Sequence, residues 1–252
     1  MKTKKNSRKS STNPYIFGAN LENESVNQHP WKLSRDESIL NMLKSENFNN
    51  SADIGVNDMF YTKKLKSFTN YNVYGVDIVF PEESTIKDGI ICLNDINKLP
   101  DDELDCLVMM DVLEHIEQDK DFLKIALEKV KENGTILITV PAWQFLFSIH
   151  DKRAQHFRRY NRKQLLTLLD FPNLNVEVCH YFYTSLFIAR VIFLLKKNSF
   201  KGNEDSWNYG KNHILTKIIK NILNLDFKIN KFLDKIGIHP PGLSLVALCK
   251  KR

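Results

Sequence analysis

Glycine is scarce in this chain, with nine in 252 residues, about half of ordinary usage. The shortage matters most in "ADIGVNDMFYTKKL", residues 52–65, where an apolar stretch with one acidic residue runs into a helical pattern and Gly55 is the lone glycine. A dinucleotide loop needs G-x-G-x-x-G, because a pyrophosphate rests on backbone N–H groups at a helix N-terminus. A nicotinamide-dependent oxidoreductase is excluded on that ground. Cysteine is also sparse: Cys92, Cys106, Cys179 and Cys249 stand singly in apolar runs, with no CxxC and no Cys/His cluster. They read as small buried hydrophobes of a reduced, cytoplasmic protein, and no metal is expected. Long apolar runs are missing too. "YFYTSLFIARVIFLL", 181–195, is too short to span a bilayer and contains Arg190. The opening "MKTKKNSRK" lacks the apolar core of a signal peptide.

What remains is ordinary for a globular chain: 42% hydrophobic and 26% charged residues, enough to fill a sizeable core. The net charge of +6 permits an anionic partner, and no nucleic acid is expected. Residues 1–30 form a polar leader expected to stay disordered, and residues 31–252 one domain. "DESILNMLKS", 36–45, has helical spacing with acids in its first turn. "ADIGV", "NVYGVDIVF", "GIICLND", "ELDCLVMMDVL" and "TILITVP" read as five strands, and "MFYTKKLKSF" as a helix. "DKDFLKIALEKVKENG", 119–134, is the clearest helix, capped by Asp119 and ended by Gly134. "RKQLLTLLDF" adds a short helix, and "NVEVCHYF" and "LSLVALCKK" two final strands. The expected fold is α/β and doubly wound, with a mostly parallel sheet. A helical insertion, 181–238, precedes an antiparallel last strand.

In open α/β sheets the ligand sits at the carboxyl ends of the strands. Those ends carry Asp53 with Gly55, then Asp77 with Ile78, then Asp95 with Ile96, then Met110 with Asp111. A carboxylate placed like Asp77 can accept two hydrogen bonds from ribose hydroxyls. Four acids at four successive ends, without a phosphate loop, point to a cofactor without phosphates: S-adenosylmethionine.

"DVLEHIEQDKDFLKIALEKVKENGTILITVPA", 111–142, resembles class I S-adenosylmethionine-dependent methyltransferases of the branch whose fourth motif reads D-V-L-E-H. "SIHDKRAQHFRRYNRKQLLTLL" and "PPGLSLVALCKK" are similar to methyltransferases of surface-polysaccharide and lipid-linked glycan pathways. The resemblance implies a Rossmann-like fold, with Asp53, Gly55 and Asn57 in the first cofactor motif, Asp77 and Ile78 at the ribose, Asp95 and Ile96 at the adenine, and Met110 and Asp111 completing the cofactor site. It departs at Asn57 and Met59, where the family pattern has glycines; side chains there are expected to crowd the loop. A catalytically degenerate, scaffolding form is the alternative which that departure raises.

Methyl transfer to a hydroxyl needs an aligned nucleophile and a base. "FSIHDKRAQHFRRY" offers His150, Asp151 and His156 for the catalytic role, and Arg158, Arg159 and Tyr160 to grip an anionic, glycan-like acceptor. His115 reads as a packing or cofactor-pocket residue. Trp143 and Phe145 suit an acceptor wall or the core. In the insertion, Leu215, Ile218, Ile219, Ile222 and Leu223 form an apolar stripe interleaved with lysines. Its two expected uses are peripheral contact with the inner face of the membrane, or packing on the domain or in a homodimer.

Overall fold

The computed structural model describes residues 29–44, 46–56, 59–195 and 213–252. The leader call of 1–30 therefore lies outside them except for His29 and Pro30. Helix α1 (Pro30–Leu43) starts six residues before the acids that the sequence suggested as its first turn. Pro30 takes a first-turn position, where a missing N–H costs nothing, and the His29 ring accepts from Trp31 N at 3.2 Å. Asp36 consequently lies inside the helix and is buried.

β1 (Phe48–Ile54), α2 (Phe60–Lys66) and β2 (Thr69–Val76) follow. The short β3 (Thr85–Lys87) and β4 (Ile90–Leu93) lead to β5 (Leu104–Met110) and α3 (Asp119–Lys129). β6 (Val130–Pro141), α4 (Ile149–Arg153), α5 (Arg162–Leu168) and β7 (Leu174–Phe182) come next. The chain closes with α6 (Thr184–Leu195), α7 (His213–Lys235) and β8 (Ser244–Lys251). One eight-stranded sheet has the order β3-β4-β2-β1-β5-β6-β8-β7. Pairings from β4 through β6 are parallel, and β3, β7 and β8 pair antiparallel. The expected doubly wound sheet and its antiparallel last strand are both present.

Both faces are covered, which is why the central strands read as near-continuous apolar runs. Leu123, Ala126 and Leu127 of α3 and Leu165 of α5 pack on one face. Ile39 and Leu43 of α1, Tyr61 and Leu65 of α2, and Leu223 and Phe227 of α7 pack on the other. All four cysteines are free and buried. Gly134 does not end α3; the helix stops at Lys129 and Gly134 lies within β6. A Cβ there would sit 2.9 Å from the Leu104 carbonyl oxygen, so strand packing requires the glycine.

The insertion is the helix pair α6 and α7, with residues 196–212 outside the described set. Helix α7 turns Leu223, Phe227 and Asn230 inward and leaves Ile218, Ile222, Leu225, Ile229 and Phe232 exposed. Its contact with α1 is fixed by Lys220 and Asn224, both on Glu37, at 2.9 and 3.2 Å. No helix among the described residues is long and apolar enough to cross a membrane.

Candidate active site

Strand order reverses between β1 and β5, the place where open α/β sheets bind their ligands. Gly55 closes β1 at φ +75, a conformation that L side chains rarely adopt, and a Cβ would lie 2.8 Å from Val112 Cγ2. The glycine thus keeps the β1 and β5 loops in contact and leaves an exposed backbone. Asn57 lies outside the described residues. Met59 also has positive φ, 59°, yet its side chain is 2% exposed and packs with Val56, Val73, Ile90 and Cys92. The crowding expected from Met59 does not occur, because burial turns it into the core.

Asp53 is buried and accepts a hydrogen bond from Thr62 Oγ1 at 2.6 Å, which ties β1 to α2. Burial pushes its pKa up to about 7, against the lowering effect of Thr62. Asp77 directly follows β2, partly exposed, and its carboxylate accepts from Val79 N at 3.1 Å. Ile78 beside it is 65% exposed. Asp95 is exposed and caps a short turn through Asn97 N, while Ile96 is buried in the core. Asp111, with φ 56, accepts from Thr139 Oγ1 at 3.1 Å and pairs with Arg35 of α1. Met110 is half-buried beside it. Arg35 is the residue that sequence reasoning missed. Its guanidinium lies over the Trp31 ring at 4.6 Å, and burial works against its charge, but Asp111 and Asp36 outweigh burial and raise its pKa. Proline at 30 was the available signal that the helix began early enough to carry it.

The acceptor-side motif closes onto the D-V-L-E-H turn. Ser148 and Asp151 form a capping box that starts α4, so Asp151 is buried and aimed inward. Asp151 receives His156 Nδ1 at 3.0 Å and Arg159 Nε and Nη2 at 2.7 and 3.1 Å. Burial alone would raise the Asp151 pKa; Arg159, Ser148 and His156 hold it at about 2. The His156 ring meets His115 edge-on, with centroids 4.5 Å apart. Burial, then His156, lowers the His115 pKa. Glu114, between Asp111 and His115 in the turn, is fully buried.

Backbone ties lock this arrangement: Phe157 N donates to Glu114 O at 2.7 Å, and Tyr160 OH donates toward Leu113 O and Asp119 Oδ2 at 3.1 and 2.8 Å. Arg158 bonds Asp119 Oδ2 and Glu117 O, each at 2.8 Å. The chain's own carboxylates therefore engage Arg158 and Arg159, and Tyr160 is buried. His150 is exposed on the first turn of α4. Trp143 stacks on Tyr181 at 4.8 Å and donates from Nε1 to Gly242 O, while Phe145 is 63% exposed against Phe187 of α6.

Residues 52–138 match the family model for a methyltransferase domain. Over that span, about a third of the chain, the sequence is similar to a methyltransferase domain. The match supports S-adenosylmethionine-dependent methyl transfer, with S-adenosylmethionine as the cofactor. Among solved structures, N-methyltransferase NodS from Bradyrhizobium japonicum WM9, in complex with S-adenosyl-l-homocysteine, is 14% identical, covering 92% of this chain and 94% of that one, with a TM-score of 0.54. Phosphoethanolamine N-methyltransferase 2 from Haemonchus contortus, in complex with S-adenosyl-L-methionine, is 17% identical over 89% of this chain and 53% of that chain, with a TM-score of 0.52. At these identities the likeness establishes the fold. No curated protein matches.

The strand ends suit a phosphate-free cofactor. Gly55 offers bare backbone, and Asp77, Asp95 and Asp111 keep partly exposed carboxylates at the three following strand ends. The loop after β1 has no glycine cradle for a pyrophosphate.

Proposed function

We propose that the methyltransferase acts on a hydroxyl of a lipid-linked glycan, with the hydroxyl proton taken at the His115–His156 pair. The observation that carries this reading is the carboxylate of Asp151 on His156 Nδ1, which fixes the ring and leaves Nε2 for the acceptor. A base so oriented contributes roughly 100- to 10,000-fold to rate. Bound S-adenosylmethionine supplies an activated methyl carbon. Asp77 with Ile78 would hold its ribose, Asp95 and Ile96 its adenine, and Gly55, Met110, Asp111 and Arg35 the remainder. Asp53 acts behind them, through α2.

The anionic part of the acceptor meets the 158–160 segment. Arg158, Arg159 and Tyr160 line an open cavity of 720 Å³ with Asp119, Gln144 and Gln164, a volume in the range of small-molecule sites. Arg158 keeps a third of its side chain exposed there. A lipid-linked acceptor also needs an apolar surface, and α7 offers one on the other face of the sheet from that cavity: its outward apolar stripe is flanked by exposed Lys217, Lys228 and Lys235. Such a helix lies in a bilayer interface with lysines on anionic headgroups.

Two measurements test the reading. Turnover on a lipid-linked glycan should fall about 100-fold in His156→Ala while cofactor affinity holds; full turnover in both His156→Ala and His150→Ala removes the base assignment. The chain should sediment with anionic vesicles at low salt. Retention in the supernatant as a dimer would assign the stripe to a second copy instead.

A further inference from the structure

We propose that Glu114, His115 and His156 hold a divalent transition-metal cation. The site deepens the acceptor reading and depends on it for the cation's role in turnover, but not for its binding. One ligand atom from each of the three side chains lies within 4.8 Å of the others. Ligand atoms about 2.0–2.2 Å from one ion stand up to roughly 4 Å apart. Side-chain rotation that shortens the longest of these separations closes the set.

Three observations lie behind that geometry. Glu114 is fully buried, and neither carboxylate oxygen has a hydrogen-bond partner elsewhere in the described chain. Such a group is costly unless something completes it. The His115 ring is set edge-on against that of His156, whose imidazole is oriented from behind, with Nδ1 on Asp151. A second contact of this kind fixes the tautomer and frees the other nitrogen, as it does for metal-bound histidines. The two segments are also held in register, because Phe157 N bonds the Glu114 backbone carbonyl and Arg159 holds Asp151. Two imidazole nitrogens with one carboxylate oxygen suit zinc, cobalt or manganese rather than calcium, which prefers an all-oxygen shell. The motifs 113–115 and 148–156 are far apart in the chain, so their joint meaning was invisible from spacing, and no metal was expected from the sequence.

His115 is exposed, so the site can be reached from solvent. With the ion in place the two rings serve as ligands rather than as the base, and an acceptor hydroxyl bound to the cation is acidified and gives its proton to solvent water. Its oxygen then forms the bond to the methyl carbon as the carbon–sulfur bond breaks, with that electron pair staying on sulfur, which leaves as a neutral thioether.

The test is calorimetric titration of the chelator-treated full chain with zinc and with cobalt alone, read beside the visible absorption of bound cobalt. One ion per chain is expected. Glu114→Gln and His156→Asn should each weaken binding about 100-fold or more, and Asp151→Asn about 10-fold, with circular dichroism confirming that each variant folds. No heat and no cobalt band, or equal affinity in folded Glu114→Gln and His156→Asn, overturns the site. Turnover separates the two readings. A chain that binds no ion yet loses turnover in His156→Asn overturns the cation and keeps the histidine pair as base. A chain that binds the ion but keeps full turnover in His156→Asn keeps the site and overturns the acceptor reading.

Discussion

His156 Nδ1 lies 3.0 Å from Asp151 Oδ1, and Arg159 grips the same carboxylate through two N–H groups at 2.7 and 3.1 Å. Arg159, proposed to meet the acceptor, thus also steadies the residue that orients the histidine. Asp151→Asn should lower turnover by about 10- to 100-fold while cofactor affinity stays intact. The same substitution changes acid stability. With its folded pKa held at about 2, below the unfolded value near 3.9, Asp151 contributes stability above pH 4 that is lost as pH falls toward 2. Asp151→Asn should flatten that acid limb in thermal melts. An unchanged limb would remove the electrostatic account of the residue.

Asp53 has the opposite sign. Its folded pKa of about 7 exceeds the unfolded value, chiefly through burial. Its contribution is complete below about pH 4 and is lost as pH rises through 7. Asp53→Asn can still accept the Thr62 hydroxyl and does not titrate. Its melting temperature relative to the parent chain should therefore rise between pH 5 and pH 8. A constant difference across that interval would contradict a protonated Asp53.

At Met59 two effects compete. A non-glycine residue in the left-handed region costs about 1–2 kcal/mol, whereas emptying a buried methionine site costs about 2–5 kcal/mol. With Met59 only 2% exposed, burial outweighs strain. Met59→Gly should lose roughly 1–3 kcal/mol in denaturant unfolding, despite restoring a residue suited to φ 59°. A stabilised variant would show that strain dominates.

The strands and their acidic ends were legible because parallel strands buried on both faces must be apolar runs, and Asp53, Asp77, Asp95 and Asp111 interrupt those runs where they end. β3 was missed since Thr85, Ile86 and Lys87 are all exposed and carry no burial pattern. The end of α3 was misplaced because Gly134 resembles a helix stop, while the strand it serves begins at Val130. Candidate site residues near one strand end were found; Arg35 and Glu114 were not. Arg35 reaches Asp111 from 76 residues away, and Glu114 acquires its meaning only when His156 is folded against it. Sequence order contains neither proximity.

The central claim is that the glycine-poor loop and the acids at the strand ends hold S-adenosylmethionine. Calorimetric titration of the full chain against its Asp77→Ala variant tests this most directly. The account predicts saturable binding by the parent chain and a loss of more than about 1.5 kcal/mol in the variant, the scale of hydrogen bonds to a charged group, or roughly tenfold in affinity. Equal affinity in the two chains, or no binding by the parent, would contradict it.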